Sequence, residues 1–238
     1  MSRTFVSLCI LLALCLATVA RAANLIWVSD NKNGTSAPAD LGFVNLLKGQ
    51  GYNVDYQGQG GTGTPGYQFW RTLNDTKIAT LNAADLILVS RDLNSGDYAS
   101  NTTEVSQWNG IKKPILLLIA HVARNDRWQW VETTGQNDVQ PVLQAVKTDH
   151  PIFSGVTLDA NNRVNVFTGV GSISSATTAG NGTLIATRAD NNQVWIAEWK
   201  AGQVFKPTTT QTAGGQRMLF AAGATGTGGP GGRCACAE

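Results

Sequence analysis

Three apolar runs of the sequence are each followed by a residue that could take part in catalysis. Asp30 follows the first run, Asp92 follows the second and His121 follows the third. If the runs are neighbouring parallel strands, their carboxyl ends meet at one edge of the sheet, where ligands bind in open α/β sheets. An imidazole beside a carboxylate can act as a general base, so His121 with Asp30 or Asp92 is the candidate catalytic set.

Each of these residues also has a structural interpretation. His121 could donate a hydrogen bond to a backbone carbonyl, and an Asp at the start of a loop often caps the helix that follows. Asp30 and Asp92 could together hold a divalent cation, as in receiver-like folds. Such folds also need a lysine after the fifth strand, and the sequence there reads Thr187-Arg188. We therefore predict no metal site and no cofactor.

A group of charged and aromatic residues comes shortly after His121. It consists of Arg124, Asp126, Arg127 and Trp128. Sugars are commonly bound by an exposed indole ring that stacks on the sugar and by guanidinium and carboxylate groups that hydrogen-bond to it. These four residues and His121 are therefore the predicted ligand-binding set, for a carbohydrate or another polar small molecule. The alternative for Trp128 is a ring packed in the core.

Other nucleophilic mechanisms fit the sequence less well. Ser29 and Ser90 also end apolar runs, but neither lies in a G-x-S-x-G motif. His150, the second histidine of the chain, precedes a proline and is expected to be structural. No cysteine occurs between residues 24 and 233, which excludes a thiol nucleophile from that part of the chain.

The elements that must position these residues alternate between strand and helix through about residue 150. Strand patterns lie at 25–28, 52–56, 86–90 and 115–120. Helical patterns lie from Pro38, near Trp70 and Leu73, from Asn101 or Thr102, and over residues 139–146. After residue 150 strand patterns predominate, at 164–167, 183–187, 194–199, 204–205 and 218–221.

This alternation implies a parallel sheet with right-handed crossovers. We predict an α/β fold over residues 24–222: a flavodoxin-like open, mainly parallel sheet with helices on both faces and a β-rich C-terminal part. The Gly-rich segment 58–66 is expected to be a flexible surface loop, since no GK[ST] sequence accompanies it. Residues 223–238 form a Gly-rich tail, interpreted either as flexible or as the product of a truncated or frameshifted gene.

The N-terminus predicts export. Arg3 precedes an uncharged apolar run at 5–20, and Ala20-Arg21-Ala22 is typical of a cleavage site, so residues 1–23 are interpreted as a signal peptide. The alternative is a transmembrane anchor, for which the run is short. We expect a secreted or periplasmic protein with no membrane association after cleavage.

The charge balance argues against nucleic-acid binding. The chain has 18 basic and 16 acidic side chains, a formal net charge of +2. Cleavage would remove Arg3 and Arg21 and no acidic residue, which takes the net charge from +2 to zero. A protein that binds a polyphosphate backbone needs an excess of positive charge, so we predict no nucleic-acid partner.

Four segments carry motifs that follow one another in a familiar order. They are 114–119 with 124–130, the His-Pro-Ile-Phe-Ser-Gly sequence at 150–155, 194–204 and 215–220. Together they resemble the trehalose-utilisation-like (ThuA-like) branch of the class I glutamine amidotransferase-like superfamily. The resemblance covers about residues 24–224 and implies a flavodoxin-like fold.

The resemblance does not carry the catalytic residues. Enzymes of that superfamily have a cysteine on a sharp turn after a strand and a histidine after a late strand. Here the turn after Ile119 reads Ala120-His121-Val122, and residues 196–199 contain no histidine. The resemblance therefore implies an amidotransferase-like domain without glutamine hydrolysis.

The sequence as a whole favours an exported, non-catalytic domain with a binding or accessory role. Its expected ligand is a carbohydrate or another polar small molecule. The first alternative is a hydrolase or isomerase that acts on a sugar-like substrate with His121 as the base. The second is a structural module of a larger surface protein, and the sequence predicts no particular protein partner for it.

Overall fold

The computed structural model describes residues 22–30, 38–56, 69–90, 93–139, 142–166 and 171–221. Asp92, nearly all of the predicted signal peptide, the Gly-rich segment 58–66 and the tail 223–238 lie outside these ranges. The expectations for those residues stay predictions.

The first half of the described chain alternates strands with helices. Its elements are β1 (Asn24–Val28), α1 (Pro38–Gly49), β2 (Asn53–Tyr56), α2 (Asp75–Ala83), β3 (Leu86–Val89), α3 (Thr102–Gly110), β4 (Ile115–Leu117) and α4 (Ala120–Ala123). The second half is rich in strands. They are β5 (Gln136–Val139), β6 (Val142–Ala145), β7 (Arg163–Asn165), β8 (Gly171–Ser174), β9 (Thr183–Arg188), β10 (Val194–Trp199) and β11 (Arg217–Phe220). Short 3-10 helices lie at Ser95–Tyr98 and Pro151–Phe153.

Nine of these strands form one mixed sheet, in the order β2-β1-β3-β4-β11-β10-β9-β6-β7. The five strands from β2 to β11 are parallel to one another. The four that follow, from β10 to β7, pair antiparallel. Strands β5 and β8 form a separate antiparallel pair. The predicted α/β class and the strand-rich C-terminal part are confirmed, and the two meet inside a single sheet.

Two of the predicted helices are wrong. In place of the helix predicted over 139–146, Val139 ends strand β5 and Val142–Ala145 is strand β6, which pairs with β7 on one side and β9 on the other. Alternate residues of β6 are buried, with Leu143 and Ala145 in the core. The helix expected near Trp70 and Leu73 begins only at Asp75, where the side chain of Asn74 accepts a hydrogen bond from the Lys77 N–H.

The parallel strands carry apolar residues on both faces. Ile26 belongs to one apolar cluster and Trp27, next along β1, belongs to the other. Helix α1 contributes Val44 to the cluster of Trp27, while α2 and α3 contribute Leu81 and Val105 to the cluster of Ile26. Helices therefore cover both faces of the parallel half, as predicted.

A chain of packed aromatic rings connects α3 with the later parts of the protein. Trp108 stacks on Trp128 with a centroid distance of 5.1 Å, and Trp128 lies 5.7 Å from Trp130. Trp130 in turn stacks on Phe205 at 5.3 Å. All four side chains are fully buried. Each such aromatic pair adds about 0.5–1.5 kcal/mol beyond the burial of its surface.

Arg217, the first residue of β11, is a buried cation that holds the end of α3. Its guanidinium donates to the backbone carbonyls of Asn109 (2.9 Å), Ile111 (2.6 Å) and Lys113 (2.9 Å). Burial lowers the pKa of Arg217 to about 9. The carbonyls at a helix C-terminus carry partial negative charge, so a cation there is favourable.

We expect Arg217→Met to destabilise the protein by about 3 kcal/mol or more. The substitution keeps an apolar side chain of similar length but leaves the Ile111 and Lys113 carbonyls without a donor, each costing about 1–3 kcal/mol, while the Asn109 carbonyl keeps the Gly214 N–H. The matched control is Arg163→Met, because Arg163 is exposed and its guanidinium donates to the side chain of Gln144 rather than to buried carbonyls. Urea unfolding measures both, and equal midpoints for the two variants would contradict this role of Arg217.

Candidate functional site

Asp30 lies fully buried at the carboxyl end of β1, where ligands were expected. Its Oδ1 accepts hydrogen bonds from Arg71 Nε and from the Tyr98 hydroxyl, each at 3.0 Å. Its Oδ2 accepts from Arg71 Nη2 at 2.7 Å and from the Asn94 backbone N–H at 3.0 Å. Because each oxygen already accepts two hydrogen bonds, Asp30 acts as a structural anion rather than as a base.

The groups around Asp30 are held in their donor forms. The hydrogen bond with Asp30 and the charge of that carboxylate raise the pKa of Arg71. Burial, and then the charge of Asp30, raise the pKa of Tyr98 well above its usual value. Both side chains therefore keep their protons at neutral pH. Arg71 also pairs with Asp97 at 2.6 Å, so the guanidinium bridges a buried and a partly exposed carboxylate.

Ser29 and Ser90, the two serines at strand ends, share one buried carboxylate. The Ser29 hydroxyl donates to Asp40 Oδ2 at 2.5 Å, and the Ser90 hydroxyl donates to Asp40 Oδ1 at 2.7 Å. All three side chains are fully buried. Asp40 lies in the first turn of α1, so this triad attaches α1 to the ends of β1 and β3. A buried hydroxyl that donates to a structural carboxylate is poorly placed to attack a substrate.

His121 and the residues after it lie at the end of β4. The single turn α4 carries His121, which is half-buried. Arg124 donates to the His121 carbonyl through Nε (3.1 Å) and to the Thr134 carbonyl through Nη1 (3.0 Å). Asp126 pairs with Arg127 at 2.8 Å and with Arg124 at 3.5 Å. The predicted ligand-binding arginines are thus held in an ion-pair network.

The 3-10 helix Ser95–Tyr98 connects this network with the Asp30 site. Arg127 Nε lies 3.4 Å from the Ser95 hydroxyl, and Tyr98, three residues on, donates to Asp30. We use the name edge cluster for the partly exposed ionic side chains along this edge: Arg71, Asp97, Arg124, Asp126 and Arg127. Their charges alternate, and the exposed fraction reaches 35% for Asp97 and 41% for Asp126.

Trp128 does not belong to the exposed surface of this edge. Its ring has no solvent exposure, and its Nε1 donates to the Tyr98 carbonyl at 2.8 Å. The ring lies between Trp108 and Trp130 in the core. Trp128 therefore cannot stack on a sugar in this structure, and it follows the alternative interpretation of a packed core residue. The reason is tertiary, since the ring stacks on Trp108 and packs at a tilt against Trp130.

His150 has the structural role expected for it. Its Nδ1 accepts a hydrogen bond from the Ile152 N–H at 3.2 Å and caps the 3-10 helix Pro151–Phe153. Its Nε2 lies 3.6 Å from Glu198 of β10. The contact places the His-Pro segment against the sheet rather than at the edge cluster.

A second buried cation lies away from the edge cluster. Lys206 has no solvent exposure, and its Nζ donates to Asn125 Oδ1 (2.5 Å), Thr208 Oγ1 (2.7 Å) and Glu132 Oε2 (3.2 Å). The hydrogen bond from Thr208, followed by the hydrogen bond and charge of Lys206, lowers the pKa of Glu132. This network ties the loop after α4 to the segment that connects β10 with β11.

Several residues that organise the site were missed by reasoning from the sequence. Arg71, Asp97 and Tyr98 complete the Asp30 network, and Asp40 joins the two serines. Arg71 lies in a loop, Asp97 and Tyr98 lie in a 3-10 helix, and Asp40 lies in the first turn of α1, with no recognisable motif around them. The sequence offered one indirect signal for these partners. A carboxylate at the end of a buried strand needs a cationic partner from elsewhere in the chain.

In the part of the chain that the structure describes, neither a metal site nor a membrane-spanning helix is found. Within it, no group of three or more His, Cys, Asp or Glu side chains could hold a metal ion. Within the same ranges, no helix is both long enough and apolar enough to cross a membrane.

Comparisons with known proteins were made for the whole chain. It matches no protein-family model and no curated protein. The resemblance to the ThuA-like branch consequently rests on the sequence motifs alone.

We expect Asp30→Asn to destabilise the protein by about 3–5 kcal/mol, the usual cost of removing one partner of a buried ion pair. The amide keeps the size of the side chain but cannot accept all four hydrogen bonds, and it leaves Arg71 with a weaker partner. The control is Asp126→Asn, whose exposed ion pair contributes only about 0–1 kcal/mol. Denaturant unfolding compares them, and similar losses in the two variants would contradict the structural role of Asp30.

We expect the contribution of Glu132 to stability to disappear in acid. Its pKa in the folded protein is below the usual 4.5, so the stabilisation is complete above that value and is lost as the pH falls through the folded pKa. Glu132→Gln should therefore lower the melting temperature at neutral pH and have little effect in strong acid. Asp149→Asn, at an exposed position, is the control. A Glu132→Gln effect that is independent of pH would be inconsistent with this pairing.

Proposed function

We propose that this chain is an exported, non-catalytic binding module whose ligand is a carbohydrate or another polar small molecule. The observation that carries the proposal is the division of roles at the carboxyl edge. Asp30, Ser29 and Ser90 are buried and engaged in structural hydrogen bonds, whereas Arg124, Asp126 and Arg127 keep part of their surface in solvent. The edge thus has accessible polar groups for recognition around Asp30, Ser29 and Ser90, whose polar atoms are engaged inside the protein.

The edge cluster has the chemistry for a neutral polar ligand. Its guanidinium groups donate hydrogen bonds in a fixed plane and its carboxylates accept them, which matches the alternating donors and acceptors of sugar hydroxyls. The charges nearly cancel, so neither a polyanion nor a polycation is favoured. This balance also supports the proposal that no nucleic acid is bound.

We further propose a degenerate amidotransferase-like domain of flavodoxin-like architecture. The parallel strands β2-β1-β3-β4 with helices on both faces support this proposal. So does the position of His121, which directly follows Ala120 on the turn after β4, where the superfamily's enzymes carry their cysteine. The absence of a cysteine there supports a role in binding rather than glutamine hydrolysis. The N-terminal sequence supports export by a cleaved signal peptide.

A thermal-shift screen of the purified protein against sugars and polyols tests the proposed function. A ligand that binds only the folded protein stabilises it by about 2.7 kcal/mol at a hundredfold excess over its Kd. We expect at least one sugar or polyol to raise the melting temperature, and Arg127→Ala to remove that shift. Lys147→Ala, an exposed substitution away from the edge cluster, should retain it.

Two other outcomes would overturn the proposal in different ways. If a sugar that binds is also converted, and His121→Ala stops the conversion, the protein is an enzyme of the hydrolase or isomerase type. If no sugar or polyol shifts the melting temperature, the binding role fails and a structural module of a larger assembly is favoured.

A further inference from the structure

A cavity of about 360 Å³ lies between the turn that precedes α2 and the first turns of α3. Its lining includes the hydroxyl residues Thr72, Ser100 and Thr103 and the amide residues Asn101 and Gln107. Glu104 is the charged residue of the lining. Small-molecule sites usually start at about 300 Å³, so the cavity has room for a monosaccharide-sized ligand.

Glu104 is buried, and one of its carboxylate oxygens has a hydrogen-bond deficit. The side chain is 5% exposed. Oε2 accepts from the backbone N–H of Ser100 at 2.9 Å and from the Ser100 hydroxyl at 2.5 Å. Oε1 is also buried but has no hydrogen-bond partner in the part of the chain described. An ionised carboxylate oxygen in this condition is costly, and a donor that reached it would recover that cost.

The backbone of Glu104 is fixed, while its carboxylate can turn. Asn101 caps α3 by accepting a hydrogen bond from the Glu104 N–H at 3.0 Å. This contact fixes the position of the residue in the first turn of the helix. The torsion that orients a glutamate carboxylate is broad and soft. Turning Oε1 towards the cavity moves Oε2 away from Ser100, so an entering donor replaces hydrogen bonds that this turn gives up.

Lys77 reaches the turn that lines the cavity but forms no ion pair with Glu104. Its Nζ donates to the Thr72 carbonyl at 2.6 Å and lies 4.8 Å from the centre of the Phe69 ring. Its ammonium group is therefore engaged by these two partners. A cavity with one carboxylate and otherwise neutral lining favours a cationic ligand over a neutral or anionic one.

We propose that this cavity binds a small organic ammonium that also carries hydroxyl groups, of the amino-sugar class. The ammonium donates to Glu104 Oε1, and the hydroxyl groups of the ligand meet the Thr, Ser and amide side chains of the lining. The site uses none of the residues of the edge cluster. It therefore goes beyond the proposed function and can be correct or wrong independently of it.

Isothermal titration with glucosamine, in a buffer acidic enough to protonate the amine, tests the proposal. Glucose serves as the uncharged probe of similar shape. We expect glucosamine to bind and glucose to bind at least about tenfold more weakly, because a charge-assisted hydrogen bond is lost. Glu104→Gln, which retains the shape of the side chain but not its charge, should weaken glucosamine binding by a similar factor.

A second variant tests the cavity if Glu104→Gln does not fold. Gln107→Leu changes the lining about one helical turn after Glu104 and leaves the Ser100 contacts in place. We expect it to weaken glucosamine binding as well. Lys147→Ala, at an exposed position outside the lining, should leave it unchanged. Equal binding of glucose and glucosamine, no binding of glucosamine, or binding that Glu104→Gln leaves intact would each overturn the proposal. Glucosamine binding that is lost in Arg127→Ala and kept in Glu104→Gln belongs to the edge cluster, which supports the proposed function and rejects this second site.

Discussion

The buried carboxylate of Asp30 imposes the condition that shapes the carboxyl edge of the sheet. A charge without solvent contact is tolerated only when it is paired and fully hydrogen-bonded. Arg71 and Tyr98, which satisfy it, lie 41 and 68 positions away in the sequence. The loop before α2 and the 3-10 helix Ser95–Tyr98 must therefore converge on the end of β1, and their convergence places Asp97 beside Arg71 and Ser95 where Arg127 can approach it.

Two buried cations, Arg217 and Lys206, also need partners inside the protein, and each finds them in a different way. Arg217 is surrounded by backbone carbonyls at the end of α3, so β11 and α3 are held together without a carboxylate. Lys206 uses a carboxylate and an amide from the loop after α4, together with the hydroxyl of Thr208 close by in the sequence. The first contact ties β11 to the end of α3, and the second ties the segment between β10 and β11 to the loop after α4. The parallel and antiparallel strands themselves meet at β11, which pairs with β4 on one side and with β10 on the other.

This use of polar groups for structure decides which of them remain for recognition. A side chain whose hydrogen-bonding capacity is filled inside the protein contributes to stability, and one that keeps solvent contact can exchange water for a ligand. The edge cluster belongs to the second kind because its ion pairs are partly exposed. Glu104 belongs to neither, since one oxygen is satisfied and the other is buried without a partner. That imbalance is what distinguishes it from the other buried carboxylates, Asp30 and Asp40.

The sequence by itself determined the strands with strong local patterns and the polar residues at their ends. Val194–Trp199 was predicted with its observed limits, and α3 begins after the Asn101 cap as expected. The apolar residues near Val142 were wrongly assigned to a helix, because a few apolar residues fit a strand and a helix equally well. Only the tertiary structure decided that β6 joins β9, that Asp30 pairs with Arg71 and that Trp128 is enclosed by other rings. Pairing and burial arise between residues far apart in the chain, and such contacts leave no periodic signal in the local sequence.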